Sequence, residues 1–212
     1  MNILIFGAGS VGAHHAHAAS FLKANVTITD INKNQLLYLK KKLYPSRYGK
    51  WNKKINIISY SDVFNIKNKI DLIVLGISPL NHMQVLKDCL KKLKFNKILV
   101  EKPLFVFNQK INLKTFKKFE NKIYCGFNHE ISESILFIKK YIKSKKDLQK
   151  IKIKWAESFN YLLNAHPWIK GIDDTYLSNI YKGGGVLHEF SHAVHLTNSL
   201  KNLISRAKNL KL

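Results

Sequence analysis

The sequence predicts an α/β fold: an N-terminal Rossmann doubly wound parallel sheet, followed by a partial α+β second domain. Three observations carry this. Short apolar runs alternate with helix-compatible segments through about residue 125, the pattern of a parallel sheet wrapped by helices. The first of these runs ends in a glycine-rich turn that opens a helix. Beyond residue 125 a strand pattern with one polar face replaces the fully apolar ones, which marks a half-solvated sheet.

Taken in order, "NILIF" (2–6) is a buried strand that runs into "GAGSVG". "VGAHHAHAASFLKA" (11–24) is helix-compatible, and "NVTITD" (25–30) is a β-branched strand ending in an acid. "NKNQLLYLKKKL" (32–43) sets Leu36, Leu39 and Leu43 at helical spacing. "KINIIS" (54–59) and "DLIVLGIS" (71–78) are further buried strands. "LNHMQVLKDCLKKL" (80–93) is an amphipathic helix, and "KILVEKPL" (97–104) is a strand running into a proline. "ISESILFIKKYI" (131–142) is helical. "KIKIKWAESF" (150–159) alternates Ile151, Ile153 and Trp155 with Lys152 and Lys154, as a strand with one wet face does. A last helix is expected from near Gly185. The expected domains are 1–125, a cofactor domain, and 126–212, a partial substrate domain.

Composition narrows the class. Hydrophobic residues make up 46% and aromatics 11% of 212 residues, enough for a real core. Two cysteines, Cys89 and Cys125, exclude a disulfide scaffold and fit a reducing compartment. The N-terminus has no basic region followed by a long apolar one, and no run approaches the ~20 apolar residues of a membrane helix. The expectation is a cytoplasmic protein. The formal charge of +23 comes from lysines spread along the chain, which reads as solvated faces rather than a specific nucleic-acid or membrane surface.

Gly7, Gly9 and Gly12 form G-x-G-x-x-G after a strand and before a helix, with Asp30 closing the next strand. That is the context of a dinucleotide fingerprint. Gly7 permits the tight turn, Gly9 admits a pyrophosphate, and Gly12 lets helix and sheet approach. The helix N-terminus offers unpaired N–H groups to the anion. Asp30 would accept from ribose hydroxyls and repel a 2′-phosphate, so the expected cofactor is NAD rather than NADP. His14, His15 and His17 follow the turn, but their spacing cannot turn all three toward one metal ion. They are read as surface or packing positions, with a place near the phosphates open to one of them.

His188-Glu189-Phe190-Ser191-His192 spells H-E-x-x-H, a zinc-protease signature. A third ligand is needed. The metzincin glycine and last histidine are missing, and residues 196–212 contain no acid. His195 stands two helical turns from His188, ~10 Å along the axis, too far for ligands at ~2.0–2.1 Å from one zinc. No metal is expected.

Four blocks in order resemble the glucose-fructose oxidoreductase / inositol dehydrogenase (Gfo/Idh/MocA) family: "FGAGSVGAHHA", "GISPLNH", "VEKP" and "GGGVLHEFSHAVH". The stretch "NAHPWIKGIDDTYLSNIYKGGG" looks like its surface-sugar biosynthesis branch. The resemblance implies an NAD(P)-dependent oxidoreductase acting on a sugar or nucleotide sugar. It implies cofactor contacts at Gly7, Gly9, Ser10, Val11, Gly12, Asp30, Ser78, Pro79, His82, Glu101 and Lys102. Lys102 would orient substrate and cofactor, with Glu101 orienting Lys102. His192 is the implied general acid/base. Aligned on the glycines, Glu189 takes the family's acid place and His192 falls one residue early; aligned on His192, that place holds His188. Asn128, His188, Glu189 and His195 are candidate substrate contacts. In "GFNHE", Glu130 stands where many members carry an arginine. Only "KIKIKWAESF" reads as a strand of the family's second sheet, so a shortened substrate domain is expected. It would associate through that strand with a second copy or a complementing chain.

Overall fold

A computed structural model describes residues 1–106, 109–112, 114–144, 150–156, 158, 160, 171, 179, 184–185, 188 and 190–208. The chain forms two compact units. The first is Met1–Phe105 with Gln109–Gly126, and the second is Val106–Asn108 with Phe127–Leu212.

The first unit is a six-stranded parallel sheet. Its strands are β1 (Asn2–Phe6), β2 (Asn25–Thr29), β3 (Ile55–Ile57), β4 (Ile70–Leu75), β5 (Phe95–Glu101) and β6 (Ile123–Gly126). They lie in the order β3-β2-β1-β4-β5-β6. The order reverses between β1 and β4, where Phe6 registers with Leu75. Doubly wound sheets bind ligands at such a switch point, beyond the carboxyl ends of the strands.

Alternate residues of β1 feed two apolar layers, which is why its sequence is apolar on both faces. Ile3 and Ile5 join one layer with Ala13, Ala16, Ala19, Leu36, Leu39 and Leu43. Leu4 and Phe6 join the other with Met83, Leu86 and Cys89. Small residues of helix α1 (Ser10–Phe21) let it lie close on the sheet. The predicted leucine helix is α2 (Lys33–Tyr38), a π-helical turn at Leu39–Leu43, and α3 (Tyr44–Tyr48) in one run. On the opposite face, α4 (Pro79–Lys92) starts at a proline, which suits the first helical turn because its missing N–H has no partner there anyway. A short helix, α5 (Lys114–Lys117), precedes β6.

In the second unit, a 3-10 turn at Asn128–Ile131 leads to α6 (Glu133–Ser144). The last helix, α7, spans Ser191–Lys208. Ile142 of α6 and Leu196 and Leu200 of α7 are buried.

One expectation is corrected. Residues 151–156 keep the predicted alternation of half-buried and exposed side chains but form no strand. Alternation reports which side chains face water. A strand also needs a neighbouring backbone for its N–H and C=O groups, and no described segment pairs with this one. Gly185 adopts φ 92°, His188 is helical, and the long last helix is described from Ser191.

Candidate cofactor site

The turn after β1 is shaped by its glycines. Gly7 has φ 102°, donates to the Thr29 carbonyl at 2.8 Å, and would collide with the Gly76 carbonyl if it carried a Cβ. A Cβ on Gly12 would strike the Gly7 carbonyl oxygen, so α1 sits directly on the turn. Gly9 differs: nothing lies within 4 Å of where its Cβ would be. Gly9 is also the N-cap of α1, without a side-chain cap and without an acid in the first turn. The helix therefore presents bare N–H groups with a partial positive charge.

Asp30 closes the adjacent wall. Its Oδ2 accepts from the Ala8 amide at 2.8 Å and its Oδ1 from the Asn32 amide at 2.8 Å. Gln35 Nε2 donates to the Ala8 carbonyl at 3.0 Å. The carboxylate is thus fixed in direction. A carboxylate has about four acceptor positions, so two protein bonds leave it able to accept from a diol.

A cleft of about 420 Å³ opens at the switch point, within the usual size of cofactor pockets. Of the predicted residues, Gly7, Gly9, Asp30 and Ser78 line it. Ser10, Val11 and Gly12 follow on the first turn of α1. Pro79 is buried at the start of α4. Sequence reasoning missed Gln35, Tyr60, Asn81 and Gln84 on the wall. Asn81 and Gln84 sit in the first turns of α4, Asn81 within the quoted "GISPLNH" block and Gln84 two residues after it. Tyr60 carried no signal.

His82 does not line the cleft. It is fully buried, with Nδ1 3.0 Å from the Pro103 carbonyl and Nε2 3.1 Å from the Ile77 carbonyl. It joins the turn after β4 to the turn after β5. Burial lowers its pKa below 6.5, against the opposing pull of the Pro103 and Ile77 carbonyls.

Glu101 ends β5, and its Oε1 lies 2.7 Å from His15 Nε2 on α1. A Cβ on Gly126 would come within 3.0 Å of the same carboxylate, at Oε2. Lys102 follows at the carboxyl edge of the sheet, half-buried, before a cis Lys102–Pro103 peptide.

The second unit holds its own cluster. His192 is 9% exposed. Its ring stacks with Trp155 at 5.7 Å and meets His129 edge-on at 4.5 Å and Phe127 at 5.8 Å. His195 stacks on Phe127 at 4.1 Å, and its Nε2 is 3.3 Å from Glu130 Oε2. Glu130 also accepts from Lys139 of α6 and, at 2.6 Å, from Ser199 of α7. Burial pushes the Glu130 carboxyl up, but the bonds from Lys139 and Ser199 and the nearby charges outweigh it and hold the group below 4.5. His188 Nδ1 lies 2.6 Å from the Gly184 carbonyl. Asn128 is exposed, and Glu189 lies outside the described residues. Among the described residues, no group of three or more His, Cys, Asp or Glu could hold a metal ion, and no helix is long and apolar enough to cross a membrane.

Fold and cleft together define a Rossmann-type domain with an open cleft at its switch point. Residues 1–127 match the Gfo/Idh/MocA family model, described as an oxidoreductase family with an NAD-binding Rossmann fold, and the chain belongs to that family. Among solved structures, the WlbA (WbpB) dehydrogenase from Thermus thermophilus, in complex with NAD and UDP-GlcNAcA, is similar with a TM-score of 0.62 at 14% identity. The match covers 94% of this chain and 62% of that one. GenD2 from gentamicin A biosynthesis, in complex with NAD, gives 0.62 at 13% identity, covering 96% and 54%. The myo-inositol 2-dehydrogenase from Lactobacillus plantarum gives 0.54 at 22% identity, covering 71% and 43%. The chain thus spans 43% to 62% of the length of these three. No curated protein matches it significantly.

Proposed function

We propose that this protein is an NAD-dependent oxidoreductase that moves a hydride between nicotinamide and a hydroxyl or ketone of a sugar or nucleotide sugar. The observation that carries this is the cleft at the β1–β4 switch point, with Gly9 open on one side and Asp30 held on the other. When bound, the nicotinamide supplies the hydride chemistry. Asp30 favours NAD over NADP, because an oriented carboxylate accepts from a ribose diol and repels a phosphate. Lys102 orients substrate and cofactor. His192 accepts the hydroxyl proton in the oxidative direction, as a general base. The aromatic rings around it exclude water and fix its plane. Asn128, His188, Glu189 and His195 are the proposed substrate contacts, and the cytoplasm is the proposed compartment.

A second reading is a catalytically weak NAD-binding or interaction protein. Residues 151–156, which alternate half-buried and exposed side chains without forming a strand, favour it. In that case the segment holding Ile151, Ile153 and Trp155 is where a second copy or a complementing chain would join. The test is nicotinamide absorbance with a panel of sugars and nucleotide sugars. Turnover with one member supports the enzyme. Cofactor binding without turnover on any member supports the second reading.

A further inference from the structure

The phosphate turn brings no cation of its own. No lysine or arginine precedes Lys23 in the sequence, and α1 has an uncapped N-terminus made of backbone donors alone. A dinucleotide carries its negative charge at this place. Only two arginines occur in the chain, Arg47 and Arg206, and the structure brings the first of them here. Arg47 Nη1 donates to Ser10 Oγ at 2.8 Å. Ser10 is the first residue of α1 and adjoins Gly9 on the cleft wall.

The placement is built by several residues. Arg47 Nη1 also stands 3.4 Å from His14 Nε2. His14 Nδ1 pairs with the Tyr48 hydroxyl. The Tyr48 ring stacks on His17 at 3.8 Å and 12°, and His17 Nδ1 lies 3.0 Å from the Tyr44 hydroxyl. Tyr44 is 2% exposed and anchored in the core. In this arrangement Nδ1–H of His14 donates to Tyr48 and its Nε2 accepts from Arg47. Burial, followed by the Arg47 charge, lowers the His14 pKa. The π-helical turn at Leu39–Leu43 inserts an extra residue between α2 and α3, which rotates Arg47 and Tyr48 relative to an unbroken helix. Such turns recur at functional sites. The histidines after the turn thus have a use other than metal binding: His14 and His17 hold an arginine.

We infer that Arg47 is a phosphate-binding residue of the cofactor site, its guanidinium supplying through the Ser10 contact the positive charge that the glycine turn lacks. This rests on the reading of the cleft as the dinucleotide site. A guanidinium presents five donors in a planar fork that suits phosphate oxygens. The phosphate is either the pyrophosphate shared by NAD and NADP or the 2′-phosphate of NADP.

The experiment is calorimetric titration of the full chain, Arg47→Met and Arg47→Lys with NAD and with NADP, at low and at moderate salt. Arg47→Met is expected to bind about tenfold more weakly, with a shallower response to salt, as loss of a charged contact dictates. Equal losses for both ligands place Arg47 on the pyrophosphate. A loss confined to NADP places it on the 2′-phosphate. Arg47→Lys keeps the charge without the fork and is expected to fall between; it carries the test if the Met variant does not fold. If the variants bind within twofold of the parent, or lose affinity with an unchanged salt response, the inference is overturned and Arg47 is a brace between α3 and α1. A parent that binds neither dinucleotide overturns the cofactor reading as well, which separates the two failures.

Discussion

His15 Nε2 and Glu101 Oε1 lie 2.7 Å apart, joining the second turn of α1 to the carboxyl end of β5, 86 residues away in sequence. The pair bridges the element that opens the phosphate turn and the strand that delivers Lys102. Glu101 is directed at His15, with Gly126 closing in from β6. Its expected role as orienter of Lys102 becomes a proposal about the backbone: fixing the Glu101 side chain fixes where the next residue leaves the sheet.

His15→Leu is therefore expected to destabilise the protein by about 1–3 kcal/mol, the cost of leaving a partly buried charged group without its partner. Thermal melting measures it. Glu101→Gln, which keeps a hydrogen-bonding oxygen, should cost less. Equal melting of His15→Leu and the parent would remove the bridge from this account.

Acid should unfold the protein in two separable steps. His82 has its folded pKa lowered below 6.5, so the unfolded chain binds the proton more readily. Stability then falls as pH drops below 6.5 and stops falling once the folded group also protonates. Glu130 has its folded pKa lowered below 4.5, so its contribution is present above 4.5 and is lost as pH falls through the folded value. Melting temperature against pH should lose the near-neutral step in His82→Gln and the acid step in Glu130→Gln. A single step unaffected by either variant would contradict both assignments.

NAD should stabilise the chain more than NADP. At a hundredfold excess over its dissociation constant, a ligand adds about 2.7 kcal/mol. A larger thermal shift with NADP would remove Asp30 as the selector.

If turnover is found, Lys102→Ala and His192→Ala should each reduce kcat strongly, and His192→Ala should leave NAD affinity unchanged. Loss of a general acid or base costs about 10²–10⁴-fold. Full activity in His192→Ala would shift the role to His188 or His195.

The parts of the fold legible in the sequence are local. The strand, the glycine turn, α1 and Asp30 lie within 30 consecutive residues, and each glycine's demand is set by its own neighbours. The opposite holds for His15 and Glu101, whose contact depends on β5 lying two strands from β1. β6 went unread because it has only four residues, with Tyr124 46% exposed, too few for periodicity to register. Residues 151–156 misled in the other direction, since their alternation is real while the pairing it suggested is not. His82 was read as a ligand contact from its block, but its two carbonyl partners come from turns that only the folded sheet brings together.

The central claim is that NAD binds where the connections after β1 and β4 part, against Gly9. Gly9→Val fills the open side of the turn while touching no protein atom within 4 Å of the added Cβ position. The deciding measurement is calorimetric titration of NAD into the parent and into Gly9→Val. The account predicts saturable one-to-one binding by the parent, and none by a variant that melts at the parent's temperature. Equal affinity in the two proteins would contradict it.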